Sequence, residues 1–269
     1  MSARPDRVRR RAPGIASAVL AIALNTFREA VRDRVLYLLL AFALILIGVS
    51  RLLSLLTVGS EEKIIKDVGL AAISIFGVLT AVFVGVSLVF KEIERRTVYT
   101  LLANPVRRWQ FVSGKFAGLL AVLSLNVVLM FLGLAIILAI RGESTWALLP
   151  AVLLILVELG IITAFALLFS SLTNPILAAV WTFAVYVAGH LSWSLKLLKG
   201  KVPEGLSQWL CDLLYWLLPH LEHLNVKAEV VHGQPISLGS VGLAVLYGTS
   251  YALAVLVLAC VAFERKDFN

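Results

Sequence analysis

Charge is scarce in this 269-residue chain: Asp, Glu, Lys and Arg make up 15% of it, where soluble domains carry about a quarter. With 60% hydrophobic residues and a mean hydropathy of +0.95, that scarcity excludes a water-soluble globular domain. Cysteine is limited to Cys211 and Cys260. These are expected near opposite membrane faces, farther apart than the roughly 7 Å between alpha-carbons that a disulfide bridges, so no intrachain bond is expected. Segments of about ten residues with alternating polarity, the mark of a transmembrane barrel, are missing. So is the phosphate loop G-x-x-x-x-G-K-[ST]: Gly114-Lys115 lacks the first glycine, and Phe116 replaces the magnesium-binding hydroxyl, so this chain is not expected to hydrolyse ATP alone. Neither a Ser-His set nor a carboxylate pair stands at matched depth for an intramembrane enzyme. Nor does any low-complexity linker or clear internal repeat mark a second domain.

What is abundant is long apolar runs. A bilayer core of roughly 30 Å needs about 20 apolar residues per helix, and six segments meet the test: Val35–Leu56, Val68–Phe90, Phe116–Ile140, Leu149–Leu172, Ile176–Leu195 and Leu238–Phe263. The expected fold is therefore all-α, a polytopic membrane protein with six transmembrane helices forming one domain over residues 35–269 and with its backbone bonded internally. If the N-terminus is inside, the inner segments hold 16 of the 24 basic residues against seven acidic ones, while the outer segments balance at eight of each. The positive-inside bias then puts both termini in the cytoplasm. The surplus reads as a topology signal and a contact with anionic lipid rather than a nucleic-acid surface.

Two further helices are expected not to span. Residues 1–34 start basic and continue, without a turn, into a pattern in which Val19, Ile22, Ala23, Phe27, Ala30 and Val31 share a face and Arg28, Arg32 and Arg34 lie elsewhere. That reads as an amphipathic helix on the inner leaflet in preference to a cleaved signal peptide. The apolar stretch Gly205–Leu221 carries Asp212 and Pro219 together with Trp209, Tyr215 and Trp216, rings that prefer headgroup depth. An outer interfacial or re-entrant helix is expected there, not a seventh span.

Glu158 is the sharpest single residue, an acid expected near mid-membrane. Unpaired, it would cost several kcal/mol, on the order given for intramembrane charges. Two roles stay open: a hydrogen-bonded lock to a neighbouring span, with Asn126 as a candidate partner, or a place on a translocation path. His220, His223 and His232, with Glu222, raise the question of a metal. No cysteine or methionine cluster accompanies them, so polarity is the preferred reading and no metal site is expected. His190 is expected to be a packing or interface residue.

The stretch from Lys91 to Lys115, "KEIERRTVYTLLANPVRRWQFVSGK", is charged between two apolar runs. A positive-inside loop explains Arg107, Arg108 and Lys115, but not Ile93, Val98, Leu101 and Leu102 among the charges. Those apolar residues predict a short amphipathic helix, broken at Asn104-Pro105, followed by a second helix that starts near Arg107 and runs into the third span. Such a face outside the membrane suits docking into a groove on another protein.

In this stretch Glu94, Thr97, Leu101, Leu102, Pro105, Arg108, Gly114 and Lys115 resemble the corresponding segment of ABC-2 type transporter permeases, with Arg96 where glycine is usual. "NTFREAVRDRVLY" is similar to the elbow helix of these permeases, the segment before the sixth span to their outer gate helices, and "FERKDF" to their common ending. The general flavour is similar to the branch that includes the permease of the nitrous-oxide-reductase copper-maturation transporter. The resemblance implies a six-helix subunit of a bacterial inner-membrane exporter, paired with a second copy or a homologue and with two ATPase subunits, which bind the ATP and Mg. It implies coupling through a helix over Glu92–Asn104, with Glu92, Glu94, Arg95, Thr97, Leu101, Leu102, Pro105 and Arg108 as contact residues, and an outer gate at Trp209, Asp212 and Trp216. A secondary transporter would need more intramembrane charge than Glu158 alone supplies. A scaffold subunit is the alternative.

Overall fold

The computed structural model describes residues 15–54, 60–94, 107–192 and 206–265, and every regular element among them is helical. An apolar stretch in hydrocarbon must satisfy its own N–H and C=O groups, and a helix does so along the segment itself. In chain order come α1 (Ile15–Val31), α2 (Arg34–Ser54), α3 (Glu61–Glu94), α4 (Arg108–Ile140), α5 (Leu149–Leu172), α6 (Pro175–His190), α7 (Leu206–Leu217), α8 (Lys227–Val231) and α9 (Leu238–Arg265). Short 3-10 turns lie at Trp146–Leu148 and Leu221–Leu224. Five helices, α2, α3, α4, α5 and α9, are long and apolar enough to cross a membrane, and α6 is apolar but shorter.

Length distinguishes these helices. The 34 residues of α3 and 33 of α4 extend for roughly 50 Å each at 1.5 Å per residue, well beyond a hydrocarbon core of about 30 Å. The expected second span, Val68–Phe90, is thus the middle of a longer helix. Charge extends it: Glu61 and Glu62 sit in the first turn, where the helix dipole favours acids, Lys66 pairs with Glu62, and Arg141 reaches Glu61 at 2.6 Å. The helix expected to start near Arg107 does so, with α4 beginning at Arg108 and the Gln110 side chain accepting from the Arg107 N–H at 2.9 Å.

The fifth span needs correction. Its helix covers Pro175–His190, 16 residues or about 24 Å, rather than Ile176–Leu195, of which residues 193–195 lie outside the described residues. Apolar content alone missed the neighbour that roofs this helix. A Cβ on Gly189 would lie 2.8 Å from the Leu221 side chain and 2.9 Å from the Pro219 carbonyl. At its other end α6 is sharply started: Pro175 is its first residue, and Asn174 Oδ1 accepts from the Leu177 N–H at 2.9 Å. Asn174→Ala is expected to lower stability by about 1 kcal/mol and Asn174→Asp to retain it, as read by thermal unfolding of the purified protein.

The bundle is organised around α5, which packs against α3, α4, α6 and α9 and buries residues on all sides. By contrast α2 buries a single stripe, Leu36, Ala43, Ile47, Ser50 and Ser54, while Leu38, Phe42, Ile45 and Leu52 face outward as on a lipid-facing edge helix. Lipid tails are as apolar as leucine, so close packing rather than water exclusion holds such helices together. Glycines allow it: a Cβ on Gly77 would stand 2.9 Å from Leu159, and one on Gly69 2.5 Å from Leu134.

Besides the shorter apolar α6 and the five-residue α8, two helices are not among the candidate spans. A tight turn at Arg32-Asp33 separates α1 from α2, and α1 lays the expected face, with Ile22, Phe27 and Ala30, into the core at one end of the bundle while Arg28, Arg32 and Arg34 are exposed. The 12 residues of α7 reach about 18 Å, too short to cross. Its Trp209, Leu213 and Trp216 are exposed, Trp216 at 81%.

Candidate functional site

Each end of the bundle carries a cluster of polar contacts. At the basic end, α3 stops at Glu94 and α4 begins at Arg108, and both helix ends are tied to their neighbours. Lys91 Nζ on α3 meets Asp33 Oδ2 at 3.1 Å, and the other Asp33 oxygen accepts from the Val35 N–H at 3.0 Å, so one carboxylate links α3 to the start of α2. One helix further, Lys115 on α4, 1% exposed, lies 3.7 Å from Glu29 on α1 and 5.9 Å above the Phe111 ring. Arg108 Nη1 donates to the carbonyls of Phe263 at 3.3 Å and Glu264 at 2.9 Å, where the last turn of α9 leaves carbonyls to be satisfied. Phe111 stacks on Phe263 with ring centroids 5.5 Å apart. The ends of α1, α2, α3, α4 and α9 therefore form one clamped group.

Between those ends lies the predicted docking segment. Arg95, Thr97, Leu101, Leu102 and Pro105 lie outside the described residues, as do the side chains of Glu92 and Glu94, whose backbone completes α3. Arg108 alone of that set is described in full, and it faces α9. At the far end, Trp209 and Trp216 project from α7 and Asp212 is half-buried.

The second cluster centres on Glu158. It is 1% exposed on α5, and its Oε1 lies 3.5 Å from His190 Nε2 on α6. The sequence-based pairing with Asn126 is not what the structure holds. Asn126 Nδ2 donates instead to Thr80 Oγ1 on α3 at 3.1 Å, locking α4 to α3. Around Glu158 converge groups that sequence reasoning did not bring together. Tyr186, one turn before His190 on α6, contacts its ring with centroids 4.7 Å apart. Lys227 at the start of α8 donates to the Ser74 hydroxyl on α3 at 2.8 Å.

Above this cluster the chain from 219 to 231 forms a cap. The His220 N–H donates to the Tyr247 hydroxyl at 2.9 Å, and His220 and His223 stack at 5.9 Å. Burial holds the His220 imidazole below its usual pKa, and the neighbouring His223 lowers it further. Among the described residues no three His, Cys, Asp or Glu side chains gather as a metal site would require.

Long apolar helices around a largely buried central one, with charges gathered at the ends, define a polytopic helical membrane protein. The family model described as ABC-2 family transporter protein matches residues 20–268. The chain belongs to that family and is the membrane component of an ABC transporter, a class that works with an ABC ATPase. No curated protein matches it.

Proposed function

We propose that the chain is the permease subunit of an ATP-driven exporter in a bacterial cytoplasmic membrane, coupled to a separate ATPase through residues 92–104. The observation that carries this reading is at the basic end. In a member of the ABC-2 family, α3 and α4 both outrun the bilayer, and the segment joining them springs from two helix ends that are clamped to α1, α2 and α9. Both termini lie in the cytoplasm, where the basic surplus faces anionic lipid.

Coupling then follows from the ties. ATP and Mg bind in the partner, whose closure displaces the docked segment. The displacement enters the membrane through α3 and α4 and carries α1 and α9 with it. The partner shifts the permease between two states only as far as its contacts differ between them. Two permease copies and two ATPases complete the assembly, with the exposed face of α6, including Ile176, Val180 and Phe183, toward the second copy. At the outer side α7 serves as the gate, with Trp209 and Trp216 at headgroup depth and Asp212 between them.

The test is to reconstitute the chain with the ABC ATPase encoded beside it and compare ATP turnover with the ATPase alone. Stimulation of several-fold is expected. Stable association without any change in turnover would favour a scaffold instead.

A further inference from the structure

The far-end cap is fastened to the bundle by apolar packing, by the His220 N–H bond to the Tyr247 hydroxyl of α9 and by one polar cluster. Leu221 seats against Gly189 of α6, and Leu224 against Gly248 of α9, which also meets Val157 of α5. These contacts are generic and apolar. Beneath them lies Glu158, and neither of its carboxylate oxygens has a hydrogen-bond partner among the described residues. A buried carboxylate so placed is costly unless a charge compensates it. From α6 come His190, at 3.5 Å, and Tyr186. From the cap comes Lys227, whose ammonium is seated on the Ser74 hydroxyl of α3 at 2.8 Å. The α3 side offers the Ser74 hydroxyl, which accepts from Lys227. The charged side chains of α4, Arg108 and Lys115, are at the opposite end, and the titratable groups of α9 nearest the cap are Tyr247 and Tyr251. Lys227 is thus the one cation on the cap facing this cluster, and its hydroxyl partner Ser74 stands one turn from Gly77, which packs on Leu159 beside Glu158.

We propose that Glu158, His190 and Lys227 form a charge clasp that holds the 219–231 cap shut over α3, α5 and α6. Lys227 supplies the charge from the cap side. Glu158 faces it from the central helix, with His190 beside the carboxylate and Ser74 beside the ammonium. Opening the far end of the bundle between α6 and α9 requires Lys227 to leave Ser74 and the field of Glu158, so a ligand or a conformational change that neutralises Glu158 frees the cap. The inference is independent of which ATPase joins the permease and of which way the bundle faces.

The experiment uses the full chain in nanodiscs, where reagent reaches both faces, with Cys211 and Cys260 replaced by serine and a reporter introduced as Leu221→Cys. Leu221 is fully buried under the closed cap, so its maleimide labelling rate reads cap opening. Lys227→Met and Glu158→Gln are each expected to raise that rate about tenfold, the scale of a lost charge-assisted contact. Lys227→Arg is expected to leave it unchanged. The double variant is expected to label no faster than the faster single one, because both remove the same contact. A parallel reporter at Val122→Cys, buried in the basic-end core, is expected to stay slow. The proposal is overturned if neither single variant speeds labelling at 221, if the two effects multiply, or if position 122 accelerates in step with 221.

Discussion

Gly118→Leu is expected to detach α1 from the bundle and to cost more than about 3 kcal/mol, beyond the usual range for overpacking by a single methylene. The reason is the distance between backbones. A Cβ at residue 118 would stand 2.6 Å from the Ala23 carbonyl oxygen and 2.6 Å from the Thr26 Cβ. One turn earlier, a Cβ at Gly114 would lie 2.7 Å from the Ile22 Cβ and 3.0 Å from the Val19 carbonyl. Carbonyls of a helix do not swing aside as a leucine tip does, so the two helices must part. The seam is of the small-x-x-x-small type that brings helices close in a membrane. Thr26 fills it, fully buried, with its hydroxyl donating to the Ile22 carbonyl at 2.9 Å so that no polar group is stranded. When the seam opens, the Glu29–Lys115 and Asp33–Lys91 pairs are expected to go with it. Thermal unfolding in detergent and protease access to residues 15–31 both read this. Gly48→Leu on α2, where nothing lies within 4 Å, is the matched control and is expected to stay within about 0.5 kcal/mol of the parent.

Leu101→Asp combined with Leu102→Asp is expected to reduce stimulation of the partner ATPase to a tenth or less. In the proposed coupling both leucines lie on the apolar face of the 92–104 segment and enter a groove on the ATPase. A carboxylate carried into such a groove loses water without gaining a partner, a cost of several kcal/mol, on the order of that for burying an unpaired charge, and enough to abolish docking. The permease alone is expected to unfold at the parent temperature, because the proposal seats both side chains on the partner and not in the bundle. Transport assayed in the same vesicles should fall in proportion to turnover.

The sequence revealed the helices better than their partners. Apolar runs located α2, α4, α5 and α9 because one physical requirement, burial of backbone in hydrocarbon, acts on every residue of a span. The ends were harder to place. Hydropathy gave no credit to the charged turns at Glu61–Lys66, which are helical because the dipole and the Glu62–Lys66 pair favour them. Nor could it register that the 219–231 cap covers Gly189. For α1 the period of its apolar face sufficed, and the Gly114-x-x-x-Gly118 spacing in the sequence is the seam that receives it. At the far-end cluster, Glu158 announced itself as an acid in an apolar run, but its surroundings did not. Ser74, Tyr186, His190 and Lys227 come from three other helices, and which residues meet across a bundle depends on rotation about each helix axis. That rotation is set by packing, so Asn126, at similar depth, was an equally reasonable partner until its amide was seen bonded to Thr80.

The most direct test of the account is a photo-crosslinking residue placed at Thr97 or Leu101 in the assembled transporter within native membranes. The account predicts adducts with the ABC ATPase, changing in yield when ATP is added. Adducts with lipid alone, or labelling of these positions from the extracytoplasmic side, would contradict it.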